Sequence, residues 1–182
     1  MRRIVLTFGL IAGALLSLMM LVQMSFIGRI GFDRGLIVGY TTMVLAFLLA
    51  YFGARSYRDQ VAGGTIGFGR AFAVAFLITL VASVCYVATW EAVKDRISPD
   101  FANDWAAHEM EKAKASGATQ AELDAKAREM ARFQEQYRNP LINIAYTFLE
   151  PLPVGLVMSL VSAAILRRRR EVPATRTVLQ QE

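Results

Sequence analysis

The chain has 182 residues, of which 55% are hydrophobic and 19% charged, with a formal net charge of +5. Soluble globular domains are about 45–50% apolar. The excess here lies in four long runs, which excludes a soluble globular enzyme, a disulfide-rich secreted domain and a disordered chain. Basic residues flank these runs, so membrane topology explains the positive charge and we expect no nucleic-acid partner.

The four apolar runs predict four membrane-spanning helices. A helix needs about 20 apolar residues to cross the hydrocarbon core of a bilayer. The runs cover residues 4–27, 36–52, 68–90 and 141–166. The first run follows Arg2 and Arg3, but it is longer than the apolar core of a signal peptide and no A-x-A motif closes it, so we interpret it as a retained span.

A stripe of small residues runs along the first predicted span. Gly9, Gly13 and Ser17 are four residues apart, a spacing that lets two helix backbones approach closely. Two alternatives follow from it. The stripe packs inside one four-helix bundle, which the sequence favours, or it forms a homodimer through the same face.

The distribution of charge predicts the topology. If both termini lie on one side of four spans, that side carries ten basic and three acidic residues, and the opposite side carries ten basic and twelve acidic residues. Positive charge near the ends of spans marks the cytoplasmic side. We therefore expect both termini in the cytoplasm and a flexible cytoplasmic tail at 171–182. The expected topology anchors are Arg2, Arg3, Arg167, Arg168, Arg169 and Arg170.

The segment between the third and fourth spans predicts a helical hairpin outside the lipid. It carries 18 charged residues within 91–138, and it has signals for helix starts and stops. These are Ser98-Pro99 as a cap and first position, Ser116-Gly117 as a stop, and Thr119–Glu122 as a capping box. We expect two helices, at about 99–116 and 120–138, in an insert at 97–139.

Glu150, followed by Pro151 and Pro153, is the most unusual feature of the predicted spans. It lies nine residues past Leu141, or roughly 14 Å into the helix. A carboxyl at that depth is a candidate functional site, and the prolines kink or interrupt the helix. Polar residues at similar depth on the other spans could face it inside the bundle: Gln23, Thr42, Ser83 and Tyr86. Four interpretations stay open: a protonated structural carboxyl, a cap for the freed backbone groups, a position nearer the interface, or an ion or substrate site.

No motif of catalytic, metal-binding or cofactor-binding type is present in the sequence. The glycine-rich stretch 63–69 lacks the lysine of a phosphate-binding loop and no strand precedes it. The one cysteine, Cys85, and the one histidine, His108, fit no metal-ligand spacing. We expect no enzymatic activity and no cofactor.

A resemblance to a known family adds to this interpretation. The stretches Arg55–Asp59 and Gly63–Phe72, together with Ser98-Pro99-Asp100-Phe101 and Pro153-Val154-Gly155, resemble the DUF4199 family of uncharacterised bacterial membrane proteins. The resemblance covers about residues 1–170. It implies a multi-pass protein of the bacterial inner membrane with four spans and a helical insert, and it brings no activity or catalytic residues.

The predicted fold class is all-α: a polytopic four-helix transmembrane bundle with an extramembrane helical hairpin between the third and fourth spans, in one membrane domain at 1–170. Two functions are open. The first is a non-enzymatic envelope protein that binds partners or supports assembly, with the bilayer, other membrane proteins or a second copy of itself as partners. The alternative is a small transporter or channel component that uses the kinked fourth span and Glu150.

Overall fold

The computed structural model describes residues 1–167, and this part of the chain is helical without strands. Four stretches are long and apolar enough to cross a membrane, namely the first three helices and Pro140–Leu166. The predicted all-α class with four spans and extra helices is confirmed. The helices are α1 Arg2–Ile30, α2 Phe32–Gln60, α3 Phe68–Ile97, α4 Phe101–Ala115, α5 Gln120–Tyr137, α6 Pro140–Leu149 and α7 Pro151–Leu166.

The spans form a bundle in which α1 and α7 each pack against both α2 and α3. Small residues allow this close packing, and Ala46, Ala50 and Ala54 of α2 are fully buried. One apolar cluster lies at the end of the bundle that holds the start of α1 and the end of α7. A second cluster, with Leu16 and Phe47 among its residues, lies towards the end that carries α4 and α5.

The first three helices extend beyond the predicted spans, and residues 28–35 between the first two apolar runs are helical except at Gly31. Gly31 alone separates α1 from α2, and its φ of +75° lies in the left-handed region that favours glycine. Apolar runs report only the stretch of helix that lipid covers. Backbone hydrogen bonding continues past this stretch into polar residues, so helices predicted from hydropathy are too short.

Helices α4 and α5 form the predicted hairpin. Lys126 Nζ lies 3.0 Å from Glu109 Oε2, and the Gln134 amide donates to Asn103 at 3.1 Å, which fixes the two helices antiparallel. Gly117 at the turn has a φ of +78°. The capping box is confirmed, since the Thr119 hydroxyl accepts from the Glu122 amide and the Glu122 carboxylate accepts from the Thr119 amide.

The start predicted for the first hairpin helix is wrong. Helix α4 begins at Phe101, with Asp100 in the capping position, whereas Ser98 ends α3. The Ser98 amide donates to the Lys94 carbonyl of α3 at 2.9 Å. The long apolar α3 therefore continues to Ile97, and Ser98 is its C-cap residue.

The hairpin is attached to the bundle by an aromatic cluster around Phe32, at the start of α2. The Phe32 ring lies 6.1 Å from that of Phe101 and 5.5 Å from that of Trp105. Phe101 also contacts Trp90 of α3, with ring centroids 5.3 Å apart. The Trp90 indole N–H donates to the Tyr137 hydroxyl at 3.1 Å. Burial raises the pKa of Tyr137 to about 12.

Polar contacts support the same attachment. Lys112 of α4 lies 2.9 Å from the Asp33 carboxylate of α2, and the ring of His108 lies 3.3 Å from the same oxygen. The hydrogen bond to Asp33 raises the pKa of Lys112. The start of α2 and the end of α3 therefore hold the hairpin against the bundle.

Among the predicted topology anchors, Arg2 and Arg3 are exposed in the first turn of α1, and Arg167 directly follows α7. These three lie at the end of the bundle opposite the hairpin. The anchors Arg168, Arg169 and Arg170 and the predicted tail at 171–182 lie outside the described residues.

Candidate functional site

The fourth span is interrupted at Glu150, as the prolines predict. Helix α6 ends at Leu149 and α7 begins at Pro151. Pro151 and Pro153 have no amide hydrogen, so the carbonyls of Thr147 and Leu149 lose their usual helical donors. The interruption leaves Glu150 at the junction of two short helices, ten residues, or roughly 15 Å, from the start of α6.

The carboxylate of Glu150 points into the bundle and not towards lipid. The Tyr86 hydroxyl of α3 donates to Glu150 Oε2 at 3.0 Å. Tyr86 is only 8% exposed, so this hydrogen bond is shielded from solvent. A buried carboxyl group without a partner is unfavourable, and the tyrosine hydroxyl reduces that cost.

A small cavity of about 40 Å³ adjoins this pair, and it collects polar residues from all four spans. Gln23 comes from α1, Thr42 from α2, Tyr86 from α3 and Glu150 from the α6–α7 junction. Methionine side chains form most of the remaining wall. The volume is enough for a water molecule or a small cation, since a water needs roughly 10–15 Å³ of such space.

Gly39 of α2 makes room for the Gln23 side chain. A Cβ atom at Gly39 would lie 3.2 Å from Gln23 Oε1 and 3.4 Å from Gln23 Nε2. Thr42, three residues on, donates its hydroxyl hydrogen to the Val38 carbonyl at 2.8 Å. Towards the cavity the Thr42 oxygen therefore offers lone pairs only.

Ser83 is the one predicted polar residue that the structure leaves out of the cavity. Its side chain is buried, and its hydroxyl donates to the Thr79 carbonyl one turn earlier in α3 at 2.9 Å. Serine in an apolar helix commonly satisfies its hydroxyl in this way. We expected Ser83 near Glu150 because the two residues lie at similar depth along their spans. Contact also requires that the side chain lie on the face of α3 that lines the cavity, and Ser83 does not lie on that face.

The predicted packing stripe lies against α3. A Cβ atom at Gly9 would lie 2.7 Å from Val81 Cβ, and one at Gly13 would lie 2.6 Å from Cys85 Cβ. Ser17 accepts a hydrogen bond from the Thr89 hydroxyl at 2.8 Å. This arrangement favours packing inside one bundle over a homodimer through the same face.

The oxygen-rich cavity differs from a typical transition-metal site. Within residues 1–167 no group of three or more His, Cys, Asp and Glu side chains is placed to hold a metal ion. The cavity instead combines one carboxylate with two hydroxyls and an amide oxygen, which are hard oxygen donors. One acidic group among neutral oxygens matches a single positive charge, either a proton or a small monovalent cation.

The sequence matches a known protein family. A family model described as "Protein of unknown function (DUF4199)" matches residues 7–168. The chain belongs to the DUF4199 family. No curated protein and no solved structure matches it significantly. The DUF4199 description names no activity, so the functional argument rests on the residues of this chain.

Two parts of the site in this DUF4199 chain were missed by sequence reasoning. Gly39 was not identified, although it lies four residues after Gly35 on α2 and the pair forms a short stripe of small residues beside Gln23. The methionines of the cavity wall were not identified either. Methionine in the sequence is only a weak indication of a cavity, because it is common in apolar helices without any functional role.

Proposed function

We propose that this protein binds a small monovalent cation, in competition with a proton, at Glu150 inside the bundle, and that it acts as a component of a membrane transport system. The observation that supports the proposal is the convergence of one polar side chain from each span on a single cavity. Polar groups buried at this depth are expensive, and they commonly mark ion or substrate sites. An interrupted helix with such a group is also typical of ion sites in transporters.

Each residue of the cavity has a definite role in this proposal. Glu150 supplies the negative charge, and Tyr86 orients the carboxylate through its hydrogen bond. Gln23 and Thr42 supply neutral oxygens to the ion. A cation binds the ionised carboxylate only, so a proton and a cation exclude each other at the site.

The proposal is tested by thermal unfolding of the purified protein in a nonionic detergent. Sodium, lithium or potassium chloride is compared with choline chloride at equal ionic strength, at alkaline and acidic pH. We expect at least one small cation to raise the unfolding temperature at alkaline pH, and the rise to disappear in acid and in Glu150→Gln.

Ser159→Ala is the matched control, because Ser159 is buried in α7 and bonds its own helix at Gly155. This variant should keep the full cation response. A response that is equal in wild type and Glu150→Gln would contradict the proposed site, as would the absence of any cation effect at alkaline pH.

The transport role needs a separate measurement. Vesicles that contain the protein and a dye for the identified cation should equilibrate a cation gradient faster than vesicles with Glu150→Gln. Equal rates combined with a retained cation response would refute transport by this chain alone, while leaving the binding site intact.

The hairpin supports a second candidate function, that of a non-enzymatic envelope protein that binds a partner. Side-chain contacts attach α4 and α5 to the bundle, and a shallow groove of about 320 Å³ runs between the two helices. Ala107, Ala127 and Ala131 of this groove are exposed. Their small side chains leave space for a helix of another protein.

A photocrosslinker at Ala107 in native membranes tests the second candidate. A discrete crosslinked product should form at Ala107 and should be lost when Ala127→Glu places a charge in the groove. The control is a crosslinker at the exposed Glu111, outside the groove. Equal products at Ala107 and Glu111 would contradict a specific docking groove.

In this proposal the hairpin lies outside the cytoplasm, in the periplasm of a bacterial cell, and both termini lie in the cytoplasm. The support for this orientation is the excess of basic residues at the end of the bundle that holds Arg2, Arg3 and Arg167.

A further inference from the structure

A second groove, of about 560 Å³, lies between α4, α5 and the Tyr146 side chain of α6. We call it the interfacial groove. Its apolar wall combines side chains of α4, α5 and α6, and its basic rim comes from α5. The wall includes Trp105, Phe133 and Tyr146, and the rim includes Lys126, Arg128 and Arg132.

Tyr146 favours a position of the interfacial groove near the membrane surface. It belongs to α6, the first part of the fourth span, and its side chain is 40% exposed on the outside of the bundle. The exposed Leu141 and Leu149 on the same helix are apolar and face the surroundings of the bundle. Tyr146 donates its hydroxyl to Gln136 of α5 at 2.8 Å. Tyrosine and tryptophan prefer this level, where the hydrocarbon meets the headgroups.

The basic rim is not neutralised by the acidic residues beside it. Lys126 is paired with Glu109 at 3.0 Å and Glu129 at 3.5 Å, which leaves a net charge of −1 on these three side chains. With the two arginines of the rim, the groove carries a net charge of +1. Arg128 and Arg132 are exposed, one turn apart on α5, and within residues 1–167 neither forms an ion pair. Two guanidinium groups at the headgroup level are complementary to phosphate.

We propose that the interfacial groove binds the headgroup of an anionic phospholipid, with its phosphate on Arg128 and Arg132 and its glycerol and upper acyl region against Phe133 and Tyr146. The lipid wedges between α5 and α6 and holds the hairpin at a fixed height over the bundle. The inference is independent of the cation site, since the groove and the cavity share no residue.

Thermal unfolding in a nonionic detergent tests the lipid site. Phosphatidylglycerol is added in increasing amounts, and phosphatidylcholine is added in a parallel series. We expect phosphatidylglycerol to raise the unfolding temperature at lower concentration than phosphatidylcholine. The double variant Arg128→Ala/Arg132→Ala should need about tenfold more phosphatidylglycerol for the same rise.

The matched control removes two other positive charges from the same side of the protein. Arg96→Ala/Lys114→Ala changes two exposed residues that lie outside the interfacial groove, and its response should equal that of wild type. The charge-conserving variant Arg128→Lys/Arg132→Lys should respond between wild type and the alanine variant, because lysine keeps the charge but loses the planar fork.

Three results would overturn the proposal. The first is an equal phosphatidylglycerol response in wild type and Arg128→Ala/Arg132→Ala. The second is an equal loss in Arg96→Ala/Lys114→Ala, which would indicate unspecific attraction by net charge. The third is an equal rise with inorganic phosphate at the same concentration, which would indicate a free-phosphate site without a lipid.

Discussion

At the scale of single residues, Glu150 is held inside the bundle by its neighbours in sequence and in space. The two prolines that follow it interrupt the fourth span, and the Tyr86 hydroxyl bonds its carboxylate at 3.0 Å. A carboxyl on the lipid face would have no such partner. The hydrogen bond and the cavity beside it are the basis of the functional interpretation.

The Tyr86–Glu150 hydrogen bond predicts a measurable energetic coupling. Tyr86→Phe should lower the free energy of unfolding by about 1 kcal/mol, and Glu150→Leu by about 1–3 kcal/mol because it leaves the hydroxyl without an acceptor. In the Glu150→Leu background, Tyr86→Phe should cost almost nothing further. In the Glu150→Gln background its cost should persist, since the amide oxygen still accepts. Denaturant unfolding in micelles measures each value, and additive costs of Tyr86→Phe and Glu150→Leu would show that the pair is not coupled.

The close approach of α1 to α3 at Gly13 predicts that a larger side chain there destabilises the protein. A Cβ atom there would meet Cys85 Cβ at 2.6 Å, so Gly13→Leu should push α1 away from α3 and destabilise the protein by about 1–3 kcal/mol. Gly28→Leu is the control, because a Cβ atom at Gly28 has nothing within 4 Å. Thermal unfolding compares the two. Equal stability of Gly13→Leu and Gly28→Leu would mean that the stripe is not packed against α3.

At the scale of the elements, the capping box determines where α5 begins. The hydrogen bonds from Thr119 hold the pKa of Glu122 below its ordinary value. The stabilisation is therefore present above the ordinary glutamate pKa and is lost as the pH falls through the lowered value. The box also positions α5 against α4, and thereby the aromatic residues that attach the hairpin to the bundle.

Thr119→Ala removes the capping oxygen and should destabilise the first turn of α5 by about 1 kcal/mol, which accelerates amide hydrogen exchange there by about fivefold. Hydrogen exchange with mass spectrometry resolves this turn from the rest of the hairpin. Ser116→Ala is the control, because the Ser116 hydroxyl bonds only the Ala113 carbonyl at the end of α4. Exchange in α5 that is unchanged by Thr119→Ala would refute the role of the cap.

The sequence predicts elements better than contacts between them. The four spans, the Gly117 turn, the capping box and the interruption at Glu150 follow from local patterns of hydropathy, glycine, proline and capping residues. Ser83 and Gly39 illustrate what does not follow. Both depend on the rotation of one helix against another, which side-chain packing across the whole bundle decides and which no local pattern encodes.

The functional prediction has the same limit, because it depends on contacts between helices. From the sequence, one carboxyl in four spans is weak support for transport, and partner binding is the first interpretation. In the structure Gln23, Thr42 and Tyr86, three of the four polar residues named from the sequence, lie around one cavity with Glu150, which favours the alternative. The aromatic attachment through Phe32 was also not predicted, because Phe32 is distant in sequence from the hairpin it contacts.

At the scale of the whole molecule, the charge asymmetry predicts the orientation in the membrane. A reporter that is active only outside the cytoplasm should be active when fused after Gly117 and silent when fused after Arg170. A fusion after Gly64, between α2 and α3, should also be silent. Activity after Arg170 or after Gly64, or silence after Gly117, would contradict the proposed topology.

The proposed exchange of a proton for a small monovalent cation takes place at Glu150 inside the bundle. Infrared spectroscopy measures this exchange directly through the carboxylic-acid carbonyl band that is present in wild type and absent in Glu150→Gln. The pH midpoint at which this band disappears is measured in choline chloride and in the chloride of the cation that stabilises the protein. We expect a lower midpoint with that cation, because the cation binds the ionised carboxylate and displaces the proton. The same midpoint in both salts, or an unchanged band in Glu150→Gln, would contradict it.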